Sequence, residues 1–141
     1  MSNSGNGRNH RVVITGAGLL TPIGNDVKAC WGALLSGAWG AVLITQFEAT
    51  EDFATRIACA VKGFDPGRYL EPKEVKRNDR FVQFAIAAAQ EAMEGAGLAS
   101  PQERAGIPPA RFGVIFGSGI GGMYTFEDQT RVLITKGAKR V

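Results

Sequence analysis

Three groups of residues in this 141-residue sequence have types and spacings that chemistry could use. The first is a glycine loop, Gly117-Ser118-Gly119-Ile120-Gly121-Gly122, in which Gly117, Gly119 and Gly122 fit GxGxxG. An apolar run precedes it and a helical pattern follows, the context in which backbone N–H groups approach a pyrophosphate at a helix N-terminus. A dinucleotide site also needs an acidic residue about 20 positions further on, at the end of a second strand. The sequence instead runs to Lys136-Gly137-Ala138-Lys139-Arg140-Val141, with no acid there. The other reading of the loop is a tight turn that admits close helix–strand packing. Gly16-Ala17-Gly18 is a weaker fingerprint, because Thr21-Pro22 occupy the region of the third glycine.

The second group is the set of possible nucleophiles. A Ser–His–Asp or Cys–His arrangement needs an imidazole beside the nucleophile. The only histidine is His10, within a polar Asn/Gly/Ser-rich opening that reads as a flexible, solvated tail over residues 1–10. Ser118 resembles an elbow serine, but Phe116 stands where GxSxG requires glycine. Cys30 falls on an apolar helix face and Cys59 in a short strand, so both read as core residues rather than activated thiols. No CxxC or Cys/His spacing points to zinc, and no metal ligand set is expected. The inventory contains no complete active site.

The third group is basic. Lys73, Lys76, Arg77 and Arg80 recur at i, i+3, i+4 and i+7, which on one helix gives one charged face. A solvated face is one reading and a docking face for an acidic partner is the other, since such charges steer encounter and fix register. Nucleic acid fits less well, because aromatic residues do not interleave with the charges.

The elements that must position these groups alternate between strand and helix. Val12-Val13-Ile14 reads as a buried strand. A helix follows, capped by Asn25 or Asp26, with Val27, Cys30, Trp31, Leu34 and Leu35 at helical spacing and Gly37 ending it. Residues 38–56 read as irregular, anchored by Trp39, Ile44 and Phe47, and Ile57–Val61 as a strand. Pro66 presets a turn at Phe64–Gly67. Lys73 to Arg80 leads into a long helix from Asp79 to about Ala96, closed by Gly95 and Gly97. Its expected buried side is Phe81, Val82, Ala85, Ile86, Ala89, Ala92 and Met93, and its many alanines predict close packing. The proline-bearing stretch Ser100–Arg111 reads as a surface connection. Phe112–Phe116 is the strongest strand pattern and Met123 to about Thr135 a helix. The alternation predicts an α/β fold with at least partly parallel pairing.

Composition sets the outer bounds. The chain is 45% hydrophobic and 21% charged, which is globular rather than disordered. Sixteen basic residues against thirteen acidic ones leave +3, too small an excess to argue for nucleic acid. The opening lacks the apolar core of a signal peptide, and no run of about 18 apolar residues could span a membrane. Two cysteines cannot make a disulfide scaffold, so a reducing cytoplasm is the expected compartment.

Four segments, in order, resemble one known family. Arg11-Val-Val-Ile-Thr-Gly-Ala-Gly-Leu-Leu-Thr-Pro-Ile-Gly24 is similar to the opening strand and turn of the β-ketoacyl-[acyl-carrier-protein] synthases. Trp31-Gly-Ala-Leu-Leu-Ser-Gly37 resembles their first helix, and Lys76-Arg-Asn-Asp-Arg-Phe-Val-Gln-Phe-Ala85 the basic entry to their long helix. Gly117–Gly122 resembles their glycine loop, and Ile120 within it favours the type II branch.

The resemblance implies a thiolase-like α/β fold of two similar halves in a homodimer, of which residues 11–141 form a partial N-terminal domain truncated before the catalytic region. It implies a β-ketoacyl-ACP synthase II that elongates acyl chains in fatty acid biosynthesis, by decarboxylative Claisen condensation of malonyl-carrier protein with an acyl thioester. A non-catalytic partner of the chain-length-factor type is the alternative. It places no catalytic residue in this chain: neither Cys30 nor Cys59 matches the family's nucleophile. Lys73, Lys76 and Arg77 fall where the family presents basic residues to its acyl-carrier protein, with Lys139 and Arg140 as a second cluster. Ile120, with Gly119 beside it, falls on the acyl pocket, at the residue that must move for longer chains. No resident cofactor is implied, since phosphopantetheine arrives on the carrier protein. A sheet built to pack against further elements should leave apolar surface exposed in these 141 residues.

Overall fold

A computed structural model describes residues 11–141. The expected tail at 1–10, with His10, lies outside the described residues. The first helix, α1, spans Val27–Leu35. Asp26 caps it as expected, its carboxylate accepting from the Ala29 N–H at 2.6 Å. Gly37, at φ +70°, supplies the left-handed turn that ends it. Residues 38–56 are not wholly irregular: β1 (Val42–Leu43) pairs antiparallel with β2 (Ile57–Ala58), Val42 opposite Ala58 and Leu43 opposite Ile57. The expected Ile57–Val61 strand is thus shorter, and Cys59 lies beyond its end, exposed rather than in a core. Trp39 is exposed, so it anchors nothing, whereas Phe47 rests on Phe53 with ring centroids 5.3 Å apart.

Helix α2 spans Pro72–Val75 and α3 Arg80–Gly95. They are separate elements, so the basic stripe does not ride on one continuous helix face. Asp79, at φ −61° and ψ 158°, is extended rather than helical and starts α3 afresh. Gln83 seals the break by donating from Nε2 to the Val75 and Asn78 carbonyls at 3.0 and 2.8 Å. That duty explains why Gln83 is buried while Phe81, expected inside, is exposed. Gly95 stays within α3, and Gly97, at φ +66°, makes the terminal turn.

The alanine side of α3 receives the chain from Gly16 to Gly18. A Cβ at Gly16 would collide with the Ala92 carbonyl oxygen, and one at Gly18 with that of Ala88. Glu91 holds the same contact from within α3, accepting from the Leu19 N–H at 2.9 Å and the Val27 N–H at 2.7 Å. Beneath it Cys30 is fully buried, its sulfur 3.1 Å from Thr21 Oγ1 and 3.2 Å from the Gly24 carbonyl. Phe64 is the other large buried side chain, edge-on to Phe84 at 5.1 Å and stacked on Tyr69 at 5.8 Å.

Two expected strands do not form. Val12–Ile14 and Phe112–Phe116 carry strand-forming residues, yet neither is in a ladder, and Ile14 and Ile115 are 91% and 98% exposed. Ladder groups need neighbouring backbone, and none among the described residues reaches them. The only ladder between named strands there is antiparallel, so the expected parallel pairing is not realised. Exposed apolar surface, by contrast, is abundant as expected. The surface connection holds, with a short 3-10 turn at Pro109–Arg111. Helix α4 spans Met123–Lys136, and a 3-10 turn at Ala138–Arg140 follows. Among the described residues no helix is long and apolar enough to cross a membrane.

Candidate functional site

The α2–α3 break opens a groove of about 670 Å³ against the start of α4. Lys76 and Arg77 line it from the link, Arg80 from the first turn of α3, and Tyr124 and Thr125 from α4. Two carboxylates, Asp79 and Asp128, share the lining. All three cations are exposed, so they act through a solvent-screened field rather than through buried pairs. Arg80 is the most fixed, its guanidinium 5.2 Å from the Phe84 ring centroid and 5.9 Å from that of Phe64.

Of the residues expected to dock a partner, the structure brings Lys76 and Arg77 together. Lys73 is exposed on α2 outside the lining, and Lys139 and Arg140 are exposed in the turn after α4, also outside it. Sequence reasoning missed Asp79 and Thr125. Thr125 Oγ1 donates to Asp79 Oδ1 at 2.6 Å across a separation of 46 residues. The helix start at Asp79 is visible in the order Asn-Asp before an apolar periodic run, but nothing local identifies the distant partner of its carboxylate.

The glycine loop enters α4 as expected, with Gly122 at the cap position and Gly121 at φ +82°. Ser118 Oγ accepts from the Gly121 N–H at 3.1 Å, so that hydroxyl braces the turn. Phe116, Gly117 and Ser118 border an apolar cavity of about 400 Å³ whose opposite wall is Phe84, Ala88 and Leu20. Gly119 and Ile120 do not line it; both are exposed, Ile120 at 81%. The start of α4 is not free for a pyrophosphate. The Asp79 carboxylate already lies against Gly122 and Thr125, putting negative charge where a phosphate would have to bind.

With a basic groove, a serine-braced glycine loop and an alanine-rich helix in place, similarity to known proteins becomes decisive. The family described as β-ketoacyl synthase, N-terminal domain, matches residues 9–141. The chain belongs to that family. This β-ketoacyl synthase domain is 46% identical over 131 residues to 3-oxoacyl-[acyl-carrier-protein] synthase 2 of Vibrio cholerae serotype O1, covering 93% of the chain and 30% of the relative. It is 46% identical over 134 residues to the same-named protein of Staphylococcus aureus strain COL, covering 95% and 31%. The chain therefore spans under a third of the length of these relatives. Among solved structures, the ishigamide ketosynthase/chain length factor aligns with a TM-score of 0.65 at 28% identity, over 89% of this chain and 30% of that one. A type II PKS acyl-carrier protein in complex with its ketosynthase bound to the hexaketide (AntDE:AntF) aligns at 0.68 and 26%, over 92% and 33%. The thiolase-like α/β reading stands on these matches, and the dinucleotide reading is not favoured.

Proposed function

We propose that this domain is the carrier-docking and acyl-loop portion of a β-ketoacyl-ACP synthase II, an acyltransferase of fatty acid elongation. The observation that carries the reading is the 46% identity to synthase 2 relatives along nearly the whole chain. The exposed cations at the α2–α3 break support it, since an acidic carrier protein is steered by such a field. Lys73, Lys76 and Arg77 form the main contact and Lys139 and Arg140 a second one. Gly119 and Ile120 shape the end of the acyl pocket, and a bulkier residue at 120 shortens the chains accepted. The carrier brings phosphopantetheine with it, so no resident cofactor is needed. The assembled enzyme is a cytoplasmic homodimer.

In the condensation, the malonyl α-carbon bonds to the acyl carbonyl carbon as carbon dioxide leaves and the enzyme thiolate is released. That step needs an acylated cysteine and preorganised donors to the developing negative charge. Two cysteines, one buried and one exposed, and a single histidine do not supply them. The thiolate and its donors therefore come from outside these 141 residues. A second copy of the chain brings the same inventory and does not help.

Malonyl- and acyl-carrier protein incubated with a full-length synthase carrying this sequence should give a β-ketoacyl product by mass spectrometry of the carrier. The 141-residue chain alone should give none. Product from the short chain that disappears in Cys30→Ala/Cys59→Ala would show that the nucleophile is misplaced. The synthase 2 relatives favour this catalytic reading over a non-catalytic partner subunit.

A further inference from the structure

We propose that Asp79 is a positioning residue that ties the glycine loop to the basic groove and so sets how readily the acyl pocket lengthens. The proposal rests on the docking and acyl-loop reading above. Asp at a helix start ordinarily accepts from its own helix's first N–H groups. Asp79 does not: its side chain makes no capping bond to α3, and only its backbone carbonyl takes the Val82 N–H at 3.0 Å. The carboxylate is turned instead to the first turn of α4, where Oδ1 accepts from Thr125 Oγ1 at 2.6 Å.

Gly122 reports the same arrangement from the other side. Its φ of −71° is open to any L-residue, so conformation does not require glycine there. The carboxylate lies close enough to need the absence of a side chain there, because a Cβ at Gly122 would run into Asp79 Oδ2 and displace it. A negative group at the start of α4 also complements the helix dipole. Asp79 lines the groove beside Lys76 and Arg77, and it holds the glycine loop at Gly122, two residues after Ile120. An acidic partner drawn onto those cations meets the carboxylate that fixes the loop. Releasing the tie frees the loop, lets Ile120 move, and favours longer acyl chains.

Thr125→Val removes the hydroxyl at nearly constant volume, Thr125→Ser keeps it, and Gly122→Ala pushes the carboxylate away. In a full-length synthase carrying this sequence, hydrogen exchange of residues 117–124 and the ratio of longer to shorter products are measured for each. Thr125→Val and Gly122→Ala should each speed loop exchange and raise the product ratio about threefold to fivefold, the scale of one charge-assisted hydrogen bond partly screened by solvent. Thr125→Ser should restore the wild-type exchange, and the double variant should exceed neither single one, because both break the same contact. Unchanged exchange in Thr125→Val, or Thr125→Ser behaving like it, overturns the tie. Faster exchange with an unchanged product ratio overturns its part in chain length. Carrier affinity that ignores Lys76→Glu/Arg77→Glu refutes the docking reading instead, and loop exchange still judges the tie by itself.

Discussion

Helices α3 and α4 differ little in length, 16 residues against 14, yet they sit in the molecule in opposite ways. Helix α3 is gripped: Gly16 and Gly18 press on its backbone, Glu91 holds two N–H groups of the preceding chain, and Gln83 and Ala87 are buried. Helix α4 has no buried residue, and Met123, Tyr124, Phe126 and Ile134 stand in the open. Its own turns hold it, through an Arg131–Glu127 pair at 2.7 Å and Thr130 and Thr135 hydroxyls donating to carbonyls one turn back. The side-chain hydrogen bond from Thr125 to Asp79 reaches across to the α3 side. The difference separates a packed element from an uncovered one: within the described residues α3 is held on several sides, and α4 meets the α3 side through its first turn.

The largest expected effect breaks the grip. Gly18→Val forces a branched side chain against the α3 backbone and should destabilise the protein by about 3 kcal/mol, lowering the thermal unfolding midpoint. Gly117→Ala and Gly119→Ala meet no atom within 4 Å and neither has a left-handed φ. Those substitutions should leave the midpoint within about 0.5 kcal/mol of the parent. If Gly18→Val unfolds no earlier than Gly119→Ala, the two regions do not differ as described.

Glu91→Ala comes next, at about 2 kcal/mol, because two backbone N–H groups lose a charged acceptor. Urea denaturation midpoints would measure it. Glu127→Ala on α4, removing a pair more than two-thirds exposed on both sides, should cost about 0.3 kcal/mol in the same assay.

What could be read from the sequence follows the same division. Asp26 and Gly37 around α1, the Asp79 start of α3 and the extent of α4 depend on residues within a turn or two, and local chemistry identifies them. Val12–Ile14 and Phe112–Phe116 have strand composition, but a strand exists only when another supplies its hydrogen bonds, and composition says nothing of that. The basic stripe misled for a related reason. The spacing of Lys73, Lys76, Arg77 and Arg80 is helical, while Asp79 between them is a start signal that breaks the helix and turns the stripe into a groove. That Lys76 and Arg77 lie close together was therefore legible, and the Asp79–Thr125 bond, 46 residues apart, was not.

The smallest expected effect is on pH dependence in the 100–111 connection. The Ser100 N–H donates to Glu103 at 2.6 Å while Ser100 Oγ accepts from the Glu103 N–H at 3.2 Å. The Ser100 backbone bond, aided by its hydroxyl, lowers the Glu103 carboxyl below its usual value. A lowered folded value means that its contribution is fully present above the ordinary carboxylate range and fades as pH falls through the folded value. The Ser100 amide resonance should move with that titration, and Glu103→Gln should abolish the movement. Full solvent exposure keeps the effect local.

Carrier docking at the α2–α3 break is the claim on which the functional account turns, and titration of acyl-carrier protein tests it most directly. In a full-length synthase carrying this sequence, Lys73→Glu/Lys76→Glu/Arg77→Glu should weaken carrier binding at least about tenfold at low salt, since three attractive charges become repulsive. Lys139→Glu/Arg140→Glu should weaken it less. The wild-type affinity should fall with added salt, and the difference between wild type and the triple variant should shrink alongside it. An affinity at low ionic strength that is the same in wild type and the triple variant would contradict the assignment.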